Sequence, residues 1–322
     1  MITLEQNVFH SFLTRQDERA WREVIFRLYP SIHPVDQAAT KIWFSFWPLR
    51  LSKAFQDSLD PIETSKRLQL DGNWRLEEQI DSSVGFFYGS RYWAVVKKAI
   101  LKYAESASEP DSMSLEKQIL HIASIAAVES RVGESFILGI TAAGVMILQQ
   151  VGMGGLVVVS RESIQSIQNR SAEQLLKLRN GKSGVGLRGL LGFQNKKHGV
   201  TFDESKPGCC FVAHNGQDLS MASSSDERDY RNKDHRRVAG PIPAECRSGA
   251  CGYCWIGVLG GKENLSEITE FEKSRLRYFG YVSRDTQIER HPHIRLACQS
   301  KCYGNASVVV SPWNGVLDGR KH

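Results

Sequence analysis

The spacing of four cysteines constrains this chain more than any other feature of its sequence. Three of them follow the pattern C-x4-C-x2-C, and 43 residues separate the third from the fourth, in the order Cys246, Cys251, Cys254 and Cys298. Small residues fill the loop that the first three enclose, namely Gly249, Ala250 and Gly252. Because such residues let backbone N–H groups come close to sulfur, the loop is suited to wrap around a thiolate-ligated metal centre.

This spacing is the thiolate framework of a plant-type [2Fe-2S] centre. Through its loop sequence CRSGACGYC, the chain resembles the plant-type [2Fe-2S] ferredoxin family over roughly residues 199–313. The resemblance implies a β-grasp fold that holds a [2Fe-2S] cluster on the thiolates of Cys246, Cys251, Cys254 and Cys298. It also implies N–H···S hydrogen bonds from Ser248 and Gly249, which adjust the reduction potential of such a cluster.

The chain departs from that family on both sides of the clustered cysteines. The 43 residues between Cys254 and Cys298 are more than the family usually has, which predicts an insertion within residues 261–292. Upstream, a charged and turn-rich stretch, residues 223–240, stands where the family has a short helix. Both departures concern loops, and the assignment of the ligands does not depend on them.

A structural zinc site is the main alternative for these cysteines. It would combine Cys251-x2-Cys254 with Cys298-x3-Cys302, because paired short spacings are typical of zinc sites. Zinc would leave Cys246 and the glycine-rich loop without a role, so an iron–sulfur cluster is favoured.

A Rieske centre and a disulfide framework explain the cysteines less well. A Rieske centre needs two histidine ligands, and the nearby His291 and His293 lack a C-x-H partner. Seven cysteines is an odd number, and no charged-then-apolar secretory leader stands at the N-terminus, so we expect a reducing, cytoplasmic compartment. Cys209, Cys210 and Cys302 are then expected to be free thiols that fill space in strands.

The sequence changes character between its N-terminal and C-terminal parts. Up to about residue 180 apolar residues recur at helical spacing, whereas after residue 199 short β-rich runs alternate with Gly, Pro and Asp turns. We predict an α+β protein with an all-helical domain of unknown role at 1–179, a Gly-rich basic linker at 180–198 and a β-grasp, ferredoxin-like domain at 199–322. The last is expected to fold alone. Helices are predicted near 17–29, 34–58, 60–70, 86–107, 115–131, 134–150 and 160–179.

One apolar segment is long enough to span a bilayer. Residues 136–159 run for 24 positions without a charge. Gln149 and Gln150, several glycines and symmetric charged flanks argue against a membrane anchor. We therefore favour a buried helix at 134–150 followed by a glycine break, in a soluble protein.

Charge argues against binding to nucleic acid. The chain has a net charge of +6, but its basic residues are interleaved with acidic ones and form no stripe. Residues 201–322 carry 17 basic and 15 acidic residues, so this region cannot steer partners by strong acidity. In the mixed run 226–237, Arg236 and Arg237 are candidates for a docking surface; the alternative is that both pair internally with nearby aspartates.

These observations predict a single-electron carrier rather than an enzyme. No flavin or nicotinamide domain and no catalytic residue can be assigned from the sequence. The expected partner is another redox protein, either a reductase or an acceptor enzyme, and the helical domain would serve docking or localisation. The alternative is a redox-sensing interaction protein, in which the state of the cluster regulates partner binding. A third hypothesis, an enzyme component with a catalytic helical domain, would need a cavity that the sequence does not indicate.

Overall fold

The computed structural model describes residues 7–157, 170–180 and 196–315. Its residues form two compact units, the first drawn from 1–56 and 75–169 and the second from 57–74 and 170–322. The first unit is helical and the second contains the main sheet, which confirms the prediction of an α+β protein. Most of the predicted linker, residues 181–195, and the first half of the predicted helix 160–179, residues 160–169, lie outside the described residues.

Helices account for most of the first unit and for part of the second. In chain order they are α1 (Val8–Thr14), α2 (Glu18–Leu28), α3 (Pro34–Phe46), α4 (Leu49–Gln56), α5 (Pro61–Arg67), α6 (Ile80–Ser83), α7 (Trp93–Ser106), α8 (Leu115–Ser130), α9 (Ser135–Val157), α10 (Ala172–Asn180), α11 (Leu219–Ser223) and α12 (Glu270–Tyr278). Side-chain caps begin several of them. Asp60, for example, accepts hydrogen bonds from the backbone N–H groups of Ile62 and Glu63 at the start of α5. Pro61, the first residue of this helix, has no N–H that would need an acceptor.

Helix α9 is the core of the helical unit. Among the described residues it is the one helix long and apolar enough to cross a membrane, with a mean hydropathy of 1.7, yet 78% of that apolar window is buried within the protein. Two of its polar side chains are satisfied internally, because Gln149 accepts from the indole of Trp21 and Gln150 donates to the carbonyl of Trp47. Gly152, with φ 71° and ψ 177°, interrupts the helix. A buried core helix with a glycine break, as predicted, is the arrangement of a soluble protein.

A five-stranded mixed sheet organises the second unit. Seven strands are described, and two of them, β1 and β7, form a separate pair. In chain order they are β1 (Asp71–Gly72), β2 (Lys197–Thr201), β3 (Cys210–His214), β4 (Trp255–Gly260), β5 (Ile294–Leu296), β6 (Ala306–Val310) and β7 (Trp313–Asn314). The main sheet has the order β3-β2-β6-β4-β5, in which β2 and β6 run parallel and the other neighbours run antiparallel. Between α11 and β4 the chain runs through turns, and α12 lies inside the predicted insertion 261–292.

Two segments from the predicted helical domain belong to the second unit. Strand β1 pairs with β7 in a small antiparallel sheet, with Asp71 opposite Asn314 and Gly72 opposite Trp313. Helix α10 packs on β4, and its Arg179 forms a bidentate ion pair with Glu204 at 2.9 and 2.7 Å. Residues 57–74 and 170–180 therefore extend the sheet-containing unit beyond the predicted boundary at 199.

Candidate metal centre

Strand pairing brings the distant cysteine to the clustered ones. Cys254 immediately precedes β4, and Cys298 lies in the 3-10 turn that follows β5. The two strands are antiparallel, with Trp255 opposite Leu296, and the backbone N–H of Ala297 donates to the carbonyl of Cys254 at 2.9 Å. The end of β5 that carries Cys298 is thereby held beside the start of β4.

The cysteine loop, residues 246–254, makes tight turns that depend on glycine. Arg247, Gly249 and Gly252 all have left-handed backbone conformations, with φ of 51°, 82° and 74°. A Cβ on Gly249 would lie 2.7 Å from the ring of Phe271, and one on Gly252 would lie 2.5 Å from the ring of Phe279. Any side chain at these two positions would therefore collide with α12 or with the residue that follows it.

The clustered thiols receive hydrogen bonds from the loop itself. The backbone N–H of Cys251 lies 3.4 Å from the sulfur of Cys246. Burial opposes ionisation of Cys246, but hydrogen bonds from Ser248 and from Cys251 outweigh it and lower the pKa of this thiol to about 6. The pKa of the Cys251 thiol is raised, mainly by burial. Both the side chain and the backbone N–H of Ser248 contribute to lowering the pKa of Cys246.

Cys254 and Cys298, the other two of the four cysteines, form a second pair. A hydrogen bond between the thiols of Cys254 and Cys298, together with burial, raises the pKa of Cys254 well above its usual value. The same bond lowers the pKa of Cys298, which also accepts hydrogen bonds from Gln299 and from the backbone of Gly249. The charge of Cys246 acts on Cys298 as well, so the two pairs lie within electrostatic range of each other.

The four cysteines supply the number of thiols that a two-iron cluster would take. Across residues 7–157, 170–180 and 196–315, no three His, Cys, Asp or Glu side chains are close enough together to hold one metal ion. A [2Fe-2S] centre with four cysteine ligands takes two thiolates on each iron. The pairs Cys246 with Cys251 and Cys254 with Cys298 supply that number, and their all-sulfur chemistry suits iron–sulfur ligation.

Two residues that the rival sites would use, Cys302 and His293, have other partners. The thiol of Cys302 is buried and donates to the carbonyl of Gly304 at 3.1 Å, and burial raises its pKa to about 11. The ring of His293 contacts the carbonyl of Val258 at 2.9 Å. Neither side chain joins the four cysteines.

Within the charged run before the loop, Arg236 and Arg237 are largely withdrawn from solvent. The side chain of Arg236 has no exposed area and pairs with Asp234 at 2.7 Å, and Arg237 lies 3.5 Å from the same carboxylate with only 19% of its side chain exposed. Internal pairing, the alternative considered from the sequence, is what the two arginines do. Arg236 is also held inside the protein because it donates to the buried carbonyl of Ser311 at 2.7 Å.

Two contacts of the loop were not predicted from the sequence. Arg275 of α12 donates to the carbonyl of Ala250 at 2.5 Å. The hydroxyl of Tyr253 donates to Asp71, which is 182 positions earlier in the chain, also at 2.5 Å. No local motif signals either contact, because both depend on tertiary structure.

Comparisons with known proteins add no assignment to this geometry. No family model matches the chain, and neither a curated protein nor a solved structure matches it.

Proposed function

We propose that this protein is a single-electron carrier whose [2Fe-2S] cluster is ligated by Cys246, Cys251, Cys254 and Cys298. The observation that carries the proposal is the antiparallel pairing of β4 with β5, which holds Cys298 beside Cys254 across 43 intervening residues. The C-x4-C-x2-C loop supplies the other two thiols, and left-handed glycines fold it tightly enough to aim N–H groups at sulfur.

At two of the four cysteines, the chain's own groups favour the charged thiolate that such a cluster requires. Hydrogen bonds from Ser248 and Cys251 stabilise the ionised form of Cys246, and the Gly249 N–H does the same for Cys298. When bound, the cluster supplies a one-electron couple, and four thiolate ligands favour a low potential, about −400 mV in plant-type ferredoxins. Cys246 is exposed whereas Cys254 and Cys298 are buried, so electrons would enter and leave on the side of Cys246.

The remaining parts of the proposal concern fold and setting. A β-grasp fold for the second unit is supported by its small mixed sheet and by the position of the cysteines next to β4 and β5. We propose a cytoplasmic protein whose partner is a reductase or an acceptor enzyme. The helical unit would serve partner docking or localisation.

Metal analysis of matched cysteine variants tests the proposal. Purified anaerobically, the full chain should be red-brown and hold about two irons and two acid-labile sulfides. Cys298→Ser should abolish most of this content, because it removes a ligand. Cys302→Ser replaces an equally buried cysteine outside the set and should leave the content unchanged. A colourless protein with one zinc ion, or equal iron loss in both variants, would contradict the proposal.

A further inference from the structure

Asp71 lies in the N-terminal half of the chain and contacts the cysteine loop. Its Oδ2 accepts a hydrogen bond from the hydroxyl of Tyr253 at 2.5 Å, and its Oδ1 lies 2.5 Å from Nε2 of His235. Tyr253 stands between Cys251 and Cys254, one from each of the two thiol pairs. A contact that fixes Tyr253 therefore acts on the backbone between two of the proposed ligands.

The backbone of Asp71 is held rigidly. Asp71 and Gly72 form β1, which is paired with β7, and the N–H of Asn73 donates to the carbonyl of Pro312 at 2.7 Å. Gly72 has φ 98°, and a Cβ there would lie 2.5 Å from that same carbonyl and 2.8 Å from the guanidinium of Arg236. The close fit leaves β1 little freedom to move, so the carboxylate of Asp71 is a fixed point against which Tyr253 can be oriented.

The acceptor is charged at neutral pH. Burial opposes ionisation of Asp71, but hydrogen bonds from Tyr253 and His235 outweigh it and keep the pKa of this carboxyl below its usual value. Hydrogen bonds to an ionised acceptor are roughly twice as strong as neutral ones. The side chain of Tyr253 is also stiff, since few torsions separate its hydroxyl from the loop backbone.

We propose that Asp71 is a positioning residue of the candidate centre, which holds the cysteine loop in its ligating conformation by accepting the hydrogen bond of Tyr253. This inference rests on the proposed function. It means that the ligand geometry depends on residues 57–74 as well as on the cysteine-bearing sequence. His235, which has 69% of its side chain exposed, is the second group that orients the carboxylate.

Release of iron from the full-length, cluster-loaded protein tests the role of Asp71. With an iron chelator present, Asp71→Asn and Tyr253→Phe should each lose iron faster than the wild type, by up to about ten- to a hundredfold, the range expected for loss of one charged hydrogen bond. The double variant should be no faster than the faster single one, because Asp71→Asn weakens the same hydrogen bond that Tyr253→Phe removes. Asp285→Asn removes an exposed carboxylate within the insertion and should leave the rate unchanged.

The midpoint potential and the visible circular dichroism of the loaded protein separate positioning from general stability. Tyr253→Phe keeps the charge of Asp71, so a change of spectrum and potential common to both variants reports altered loop geometry. Unchanged iron release, spectrum and potential in both variants of an iron-containing protein would overturn the inference alone. A wild-type protein without iron would instead overturn the proposed function, and the inference with it. Thermal unfolding of Tyr253→Phe, the milder change, checks that the fold is intact.

Discussion

A buried ion pair fixes the charged stretch in front of the cysteine loop. Asp234 receives hydrogen bonds from Arg236 at 3.0 Å, from Nε, and at 2.7 Å, from Nη2. Only 10% of the Asp234 side chain is exposed, and none of Arg236. Breaking such a pair leaves an uncompensated buried charge, which costs more than the pair itself contributes.

We predict that Asp234→Asn lowers the free energy of unfolding of the sheet-containing unit by about 3–5 kcal/mol, because Arg236 then lacks its counter-charge. Chemical denaturation of the full-length protein would measure the loss. Asp229→Asn, which alters an exposed carboxylate in the same run, should change stability by less than about 0.5 kcal/mol. Similar losses in the two variants would mean that the buried Asp234–Arg236 pair contributes no more to the free energy of unfolding than an exposed carboxylate does.

The pH dependence of stability gives an independent check on Asp234. Burial opposes its ionisation, but the hydrogen bonds and charge of Arg236 hold the pKa of Asp234 below its usual value. The stabilisation is therefore fully present above the unfolded pKa, about 3.9, and is lost as the pH falls through the lower, folded value. Between these two values the wild type should lose stability as acid is added, whereas Asp234→Asn should lack this contribution.

Single residues near the site differ in how far the sequence predicts them. Cys246, Cys251, Cys254, Ser248 and Gly249 belong to one local pattern, so spacing and small side chains indicated them as candidates. Asp71 could not be found this way, because its contact with Tyr253 spans 182 positions. Arg236 looked like a surface residue because a run of mixed charge has no periodicity from which burial can be inferred.

At the level of elements, α12 links the insertion to the strand that precedes Cys298. Its Glu272 forms a bidentate pair with Arg295 of β5, with both distances 3.0 Å, and accepts from the N–H of Leu296 at 2.7 Å. Both side chains are almost wholly buried. The insertion is therefore part of the framework of the candidate centre and does not form a separate loop.

We predict that Glu272→Gln lowers stability by about 3–5 kcal/mol and reduces iron content, because it leaves Arg295 without a counter-charge beside Cys298. Glu267→Gln alters an exposed ion pair with Arg290 and should have little effect on either quantity. Replacing Glu272 and Arg295 together with methionine should restore part of the stability, because it removes both charges but leaves the N–H of Leu296 without its acceptor. Iron analysis and denaturation of the three proteins provide the comparison; full iron content in Glu272→Gln would rule out a role in holding β5.

Helices of the first unit were easier to predict than the small elements of the second. Helices such as α2 and α8 combine apolar periodicity with an Asp or Ser cap, and both signals are local. The two-residue strands β1 and β7 have no such pattern, since a strand of that length has almost no periodicity. They form only because distant segments meet.

The whole molecule divides into units that are not continuous in sequence. The sheet-containing unit includes residues 57–74 and begins again at 170. The ion pair between Arg179 and Glu204 is almost completely buried, with 3% and 4% of the side chains exposed, and Ser307 also donates to Glu204. A fragment that starts at 199 would lack both Arg179 and Asp71.

The sequence pattern predicts that residues 199–322 fold alone. The sheet-containing unit, however, also includes residues 57–74 and 170–180, which leads to the opposite expectation. We predict that fragment 199–322 is poorly folded, because Glu204 would be buried without Arg179 at a cost of about 3–5 kcal/mol, comparable to the total stability of many domains. Fragment 170–322 keeps that pair and should be the more stable, while still holding iron less tightly than the full chain, since Asp71 is missing. Denaturation curves and iron release rates for both fragments and the full chain test this order. If fragment 199–322 unfolds at the same denaturant concentration as fragment 170–322, α10 does not stabilise the unit. If fragment 170–322 and the full chain release iron at equal rates, residues 57–74 do not help to hold the iron.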